Sequence, residues 1–451
     1  MPRSISATCL SLLLAPCWAQ PSAPKGLSLG LLPRQSPPTP PDGGFGALGC
    51  LPITASNATV EITPAGPPVT LETTGVYLRA AGSVDDGLYL GYAVREGFAK
   101  ALRTYRSDDG GGSWARLGDV ERAADNRTRE LDNAFPLVLP PGFPGTGGPP
   151  NGSSPNNNTG TNSSATGNGV GGGRSRILYA YRNHDRSPNN TLGVPGGYTT
   201  YRLTVSASDD GGASWSFLGD VDTRAANNGS AALNGLWEPF LRVAGDGRTL
   251  QAYYSAENDA GDQDSLLRES ADGGRTWGER RVASGAGRVR SRDGMTGVAR
   301  LGEGGEGGGD DQRLILLFET TESGRFDMRR VLSPDDGRTW PADTRARVYD
   351  PLDEEKQASA PAGVINVGGT LVAGFMTNEG TNGSGTVPGD FKVVSSVDDG
   401  ETWSESVLIA GEAIWPGLYA LGREKFLALY SFDTHEGDYV AATRVFEVLR
   451  A

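Results

Sequence analysis

Ser208-Asp209-Asp210-Gly211-Gly212-Ala213-Ser214-Trp215 decides the fold, because the pattern Ser-x-Asp-x-Gly-x-Ser/Thr-Trp returns at Ser107–Trp114, Ser270–Trp277, Ser333–Trp340 and Ser396–Trp403. The tryptophans are 101, 62, 63 and 63 residues apart. The long first interval contains residues 140–173, almost wholly Gly, Pro, Asn, Ser and Thr, and without those 34 residues it shrinks to 67. A fixed period of about 63 residues marks a repeat architecture. The chemistry of the motif is that of a tight turn between two strands. The Asp carboxylate accepts hydrogen bonds from turn N–H groups, the Gly takes a backbone conformation closed to other residues, and the Trp ring packs beneath. The five aspartates are therefore read as structural and not as a catalytic set.

A second repeat counts the units. Apolar, strand-like stretches precede each motif: GLYLGYAV from Gly87, RILYAYRN from Arg176, TLQAYYSAE from Thr249, RLILLFET from Arg313 and TLVAGFMTNE from Thr370. A sixth copy, KFLALYSFD from Lys425, has no motif after it, and ATVEI from Ala58 is expected to supply the missing outer strand and close the ring. The expected fold is all-β, a six-bladed β-propeller of four-stranded blades. The turn motif resembles the Asp box of sialidases and related propellers.

Residues 1–19 carry one basic residue, an apolar core around Leu10–Leu14 and a small residue at Ala19. That pattern is a secretory signal, its apolar run being far shorter than the ~20 residues that span a bilayer. Residues 20–50 read as a Pro/Ser/Gly-rich leader and 51–451 as the propeller, with 140–173 a disordered surface insertion. Cys9 and Cys17 leave with the signal, so Cys50 has no internal partner. Sixty-six glycines suit a turn-rich protein, and eight Asn-x-Ser/Thr sequons, at Asn57, Asn126, Asn151, Asn157, Asn162, Asn189, Asn228 and Asn382, suit an extracellular one. A formal charge of −13 argues against nucleic acid or an anionic membrane as partner. A secreted, extracellular monomer acting on an oligosaccharide or polysaccharide is the expectation.

Other site classes fall away. Two histidines and no Cys pair leave no zinc set, and neither a Gly-x-Ser-x-Gly elbow nor a phosphate loop is present. What remains is polar residues in apolar settings near the inner strands. Glu238 lies in Leu236-Trp237-Glu238-Pro239-Phe240 and Glu319 ends Leu314–Glu319. Burial there disfavours the charged carboxylate and raises its pKa, which is useful in a general acid but is also compatible with a capped strand end or an arginine pair. Arg79, Arg292, Asp293 and Tyr419 are further candidates.

Val60–Arg79, Tyr181–Asp185, Leu236–Phe240, Tyr254–Asp264, Ser291–Met295 and Phe318-Glu319 together resemble the exo-1,5-α-L-arabinanases of glycoside hydrolase family 93. The likeness runs from about Val60 to the C-terminus, with 140–173 and 302–311 as extra insertions. It implies a secreted six-bladed propeller that removes arabinobiose from the non-reducing end of linear arabinan with retention. It also implies Glu319 as nucleophile, Glu238 as acid/base, and Tyr419 as the residue that hydrogen-bonds Glu319. Arg79, Asn183, His184, Asp264, Arg292 and Asp293 are the implied substrate contacts, and no metal or organic cofactor is required. A sialidase would use Tyr419 as nucleophile, Glu319 as its base and Asp85 or Asp86 as acid. Arg79 is followed by Ala80-Ala81, however, so the usual Arg-x-Pro start is missing. A non-catalytic glycan-binding propeller is the other alternative.

Overall fold

The computed structural model describes residues 60–450 apart from 74, 84, 146–174, 230–231, 286–288, 304–310, 382, 384 and 434–438. The signal and leader, all three cysteines and the sequons at Asn57, Asn151, Asn157, Asn162 and Asn382 lie outside the described residues. Asn189 and Asn228 are exposed, and Asn126 is half-buried. No helix among the described residues is long and apolar enough to cross a membrane.

The chain is built almost wholly of antiparallel strands. β1 (Val60–Pro64) and β2 (Val69–Thr73) come first. The first sheet holds β3 (Gly75–Ser83), β4 (Gly87–Glu96), β5 (Ala99–Ser107) and β6 (Ala115–Ala123). The second holds β7 (Arg129–Val138), β8 (Ile177–Arg186), β9 (Tyr198–Ser208) and β10 (Ser216–Ala225). The third consists of β11 (Leu236–Val243), β12 (Leu250–Asp259), β13 (Asp262–Ser270) and β14 (Arg281–Ser284). In the fourth are β15 (Gly294–Arg300), β16 (Leu314–Thr320), β17 (Asp327–Ser333) and β18 (Ala346–Tyr349). The remainder are β19 (Ala358–Val367), β20 (Thr370–Thr377), β21 (Gly389–Ser396), β22 (Val407–Ala420), β23 (Lys425–Asp433) and β24 (Tyr439–Arg450).

The arrangement is a β-propeller, but its hydrogen bonding corrects the expected six separate blades. Four sheets of four strands stand alone, and the other eight strands form one sheet. The cause is β22. Its first half pairs with β21 and its second half with β23, so no break in the backbone divides the sheet there. β1 pairs with β24 over Val60↔Arg450 to Pro64↔Phe446, the ring-closing place expected of the segment from Ala58.

The innermost strands β3, β7, β11, β15, β19 and β22 pack each on the next, and β22 packs back on β3. Apolar side chains fill the wedges between consecutive sheets. Leu178 and Val205 meet Leu241 and Tyr254, Leu267 meets Leu316 and Phe318, and Leu78 and Tyr92 meet Leu427 and Leu429. The turn motifs close these wedges. In each, the Ser hydroxyl accepts the Gly N–H at 2.8–2.9 Å (Ser107 from Gly111, Ser208 from Gly212, Ser270 from Gly274, Ser333 from Gly337, Ser396 from Gly400) and donates to the Asp. The Asp in turn accepts the N–H of the residue before the tryptophan, as Asp210 does from Ser214 at 2.9 Å.

The insertion is shorter than its composition suggested. Phe143 is buried in the core between the second and third sheets, and the Gly145 carbonyl accepts from Arg176 and Arg275, so residues 140–145 belong to the packed body.

Candidate active site at the channel mouth

Every innermost strand carries the same irregularity. The pairing with its neighbour slips between Val76 and Arg79, Asp132 and Phe135, Trp237 and Phe240, Gly294 and Gly297, Ser359 and Gly363, and Ile414 and Gly417. Within each slip sits one non-glycine residue in the left-handed region: Tyr77 (φ 64°), Asn133 (50°), Glu238 (44°), Met295 (51°), Ala360 (47°) and Trp415 (40°). A side chain in that region costs roughly 1–3 kcal/mol, and bulges of this kind re-aim side chains next to functional sites. Six at one level of a ring point to the mouth of the channel as the working surface. Tyr77, Glu238 and Met295 line a cavity of about 1060 Å³, together with Arg79, Phe135 and Phe240. Tyr77, Met295 and Ala360 form a small apolar cluster with Met376.

A second tier comes from the neighbouring strands. Opposite the residue before each left-handed one stand Ala93, Arg182, Ser255, Glu319, Met376 and Ser431. Glu238 and Glu319 thus arise from adjacent sheets, one from each tier. The Ala360 N–H, pushed out of its ladder by the bulge, donates to Glu319 Oε2 at 2.7 Å. The Met295 N–H does the same to Ser255 Oγ at 2.9 Å.

Electrostatics make the pair unusual. Burial pushes the Glu238 carboxyl up to about 7; the Ser255 hydroxyl pulls it back, the nearby Glu319 charge raises it further, and Arg182 and Glu257 act in opposite directions. Burial likewise raises Glu319 to about 7, against the Ala360 N–H and the Arg292 charge. Glu319 is 2% exposed, whereas Glu238 keeps a partly open face. Tyr77 is raised well above the phenol range by burial, with Arg79 opposing, and the Arg79 guanidinium lies 4.0 Å from the Tyr77 ring centroid.

Of the residues expected to bind substrate, Arg79 lines the cavity, and Arg292 reaches Glu257 at 2.7 Å and Gln263 at 2.9 Å while its charge acts on Glu319. The others are held by neighbouring side chains and backbone. Asn183 bridges Arg129 and Thr204. His184 is fully buried among Tyr198, Tyr201 and Trp237, its Nδ1 accepting the Arg202 N–H, and burial holds it neutral. Asp293, with no exposure, is surrounded by Ser284, Ser291, Thr320 and Arg345. Asp264 accepts from Asn258 on the outer part of its sheet. Tyr419 lines the same cavity at a different level. It lies four residues beyond Trp415, roughly 13 Å along a strand rising ~3.3 Å per residue, and its hydroxyl donates to the Gly82 carbonyl at 2.5 Å.

Tyr77, Arg182 and Ser255 also lie around Glu238 and were missed, although for Arg182 and Ser255 a signal was present. Aligning the six strand copies quoted above places Ala93, Arg182, Ser255, Glu319, Met376 and Ser431 all at the seventh position.

No family model and no curated protein matches the sequence. Solved structures do match. The Penicillium chrysogenum α-L-arabinanase complexed with arabinobiose aligns at TM-score 0.57 and 18% identity, over 85% of this chain and 98% of that one. The GH93 α-L-arabinofuranosidase of Fusarium graminearum aligns at 0.58 and 17%, over 84% and 93%. This chain shares their fold. The NanB sialidase of Streptococcus pneumoniae is more distant, at 0.50 and 12% identity, over 85% of this chain and 69% of that one.

Proposed function

We propose that this protein is a secreted retaining glycoside hydrolase that releases arabinobiose from the non-reducing end of linear 1,5-α-L-arabinan. One observation carries the reading: the Glu238 carboxyl lines the axial cavity and feels the charge of the buried Glu319 on the adjacent sheet, and burial raises each of the two to about 7. Two such groups titrate as a pair, and near neutrality the pair holds about one proton. In this reading the proton sits on Glu238, whose carboxyl opens on the cavity, and Glu319, which accepts the Ala360 N–H and lies near the Arg292 charge, is the anion. Glu319 attacks the anomeric carbon as the bond to the leaving oxygen breaks, and Glu238 gives that oxygen its proton. Glu238 then takes a proton from water, whose oxygen attacks the same carbon and frees Glu319. The shared fold with an arabinanase and a GH93 arabinofuranosidase, both solved with arabinobiose, supports this choice of sugar. The sialidase alternative is favoured less, because the hydroxyl of Tyr419, four residues along the strand from Trp415, donates to the Gly82 carbonyl.

The same reading counts six blades. The eight-stranded sheet is two blades joined through β22, and its two halves each contribute one left-handed residue, Ala360 and Trp415, to the ring.

The test is hydrolysis of debranched arabinan beside a sialoside, with product sizing, for wild type, Glu238→Gln and Glu319→Gln. Both variants should lose at least ~10²-fold on arabinan. An aryl arabinobioside with a good leaving group should still be turned over by Glu238→Gln when azide is added, since azide needs no general base. Glu319→Gln should give an inverted azide product or none. Activity above about a tenth of wild type in both would sink the assignment.

A further inference from the structure

The six bulges raise a question that the two glutamates do not answer: what receives the N–H groups that the bulges expel. A buried donor needs a partner. At Ala360 the acceptor is Glu319 itself, and at Met295, one sheet earlier, it is Ser255, the residue at the matching register position. Ser255 has no exposure and faces away from solvent. Its oxygen takes the Met295 N–H, which leaves its own proton to be donated, and Glu238 follows Trp237, the residue that pairs with Ser255 across the sheet, so its carboxyl is the acceptor at hand.

We infer that Ser255 is a positioning residue that holds one Glu238 oxygen against the sheet and leaves the other, the proton-bearing one, facing the cavity. The inference rests on the acid/base reading of Glu238. A carboxyl group with neither oxygen held can rotate and offer its proton along several directions. Donation from Ser255 makes the inner oxygen the carbonyl-like one in the acid form, so the proton sits on the oxygen facing the cavity. When Glu238 becomes the base, the same hydroxyl donates to the carboxylate and eases its ionisation. The chain of contacts runs from the Met295 backbone through Ser255 to Glu238, so the strained bulge of one sheet aims the acid of its neighbour. Glu319, Arg182, Glu257, Tyr77 and Arg79 also act on or face Glu238, and all five side chains are kept when Ser255 is substituted.

The experiment replaces Ser255 by Ala and reads Glu238 directly. The carbonyl stretch of protonated Glu238, assigned by its loss in Glu238→Gln, is followed by infrared titration. Removing a hydroxyl that donates to a carboxylate should move the midpoint up by about one pH unit, taking a hydrogen bond to a charged group at its usual strength. Turnover of arabinan should fall ~10-fold, whereas an aryl arabinobioside whose leaving group needs no proton should lose less than about twofold. Ser255→Cys, nearly isosteric and a weaker donor, takes the place of the Ala variant should that fail to fold. An unmoved midpoint, or equal losses on both substrates, overturns the inference. The titration needs no turnover, so a wild-type protein inactive on arabinan but with the shift intact would count against the arabinan reading alone. A flat titration in an active enzyme would count against Ser255 alone.

Discussion

Glu319 shows how one side chain can work against the fold that holds it. Its carboxyl is raised by burial from 4.5 to about 7, so between those values the folded protein binds a proton that the unfolded chain has released. Stability contributed by the protonated form is present below about pH 4.5 and is lost as pH rises through 7. Glu319→Gln keeps an oxygen for the Ala360 N–H and removes the ionisable group. We expect this variant to be more stable than wild type at pH 8, by on the order of 1–3 kcal/mol, and equal to it at pH 4. Urea melts at the two pH values decide the matter, and a variant less stable at pH 8 than at pH 4, relative to wild type, would contradict the burial argument. A site that stabilises the protein when its working group is deleted is the expected signature of a catalytic carboxyl.

At the scale of the element, turn and strand divide the labour. The turn motifs tie Ser, Asp and Gly to one another locally, which is why their pattern is visible without any tertiary context. Where Gly211 is replaced in later copies, Asp336 (φ 56°) and Asp399 (φ 58°) take the same left-handed turn, a conformation that Asp tolerates better than most residues. The second strands are as regular, and their seventh position is the place where Arg182, Ser255, Glu319 and Ser431 set polar side chains into a structural repeat. The insertion after Leu139 tests the boundary between ordered and dispensable. Phe143→Ala should cost about 3–5 kcal/mol, as for other buried phenylalanines, whereas replacing residues 146–173 by a short Gly/Ser turn should change stability by less than ~1 kcal/mol, the scale of loop-closure differences. Thermal melts of the two variants measure this, and a large loss on shortening would show that the insertion packs on the body.

For the whole molecule the decisive contact is the one between its two ends. β1 covers the outer edge of β24, and Ile62 is buried against the core of the eight-stranded sheet. β2 pairs with the same strand. Closure in this way joins the first described residues to the last and leaves β24 without a free edge there, which guards against edge-to-edge association. Deleting residues 60–64 should lower Tm by clearly more than deleting five residues from the insertion, and should promote association, read by light scattering. Equal effects would mean that the ring holds without this latch.

The turn motifs, the strand copies, the closing strand and the two glutamates were all legible in the residues, because each depends on contacts within a few positions or on a carboxyl set among apolar neighbours. The continuity of the last sheet through β22, the docking of Phe143 and the hydrogen bonds that hold Tyr419, His184, Asn183 and Asp293 were not. Periodicity places a residue along a strand, but it does not say at which end of a channel its side chain meets others, or whether a neighbouring sheet has already used its hydrogen bonds. The bulges are the clearest case. Nothing in Tyr77, Asn133, Glu238, Met295, Ala360 or Trp415 as residue types announces a left-handed backbone. That conformation appears only where each innermost strand slips in register against its neighbour, a long-range feature of the assembled sheets.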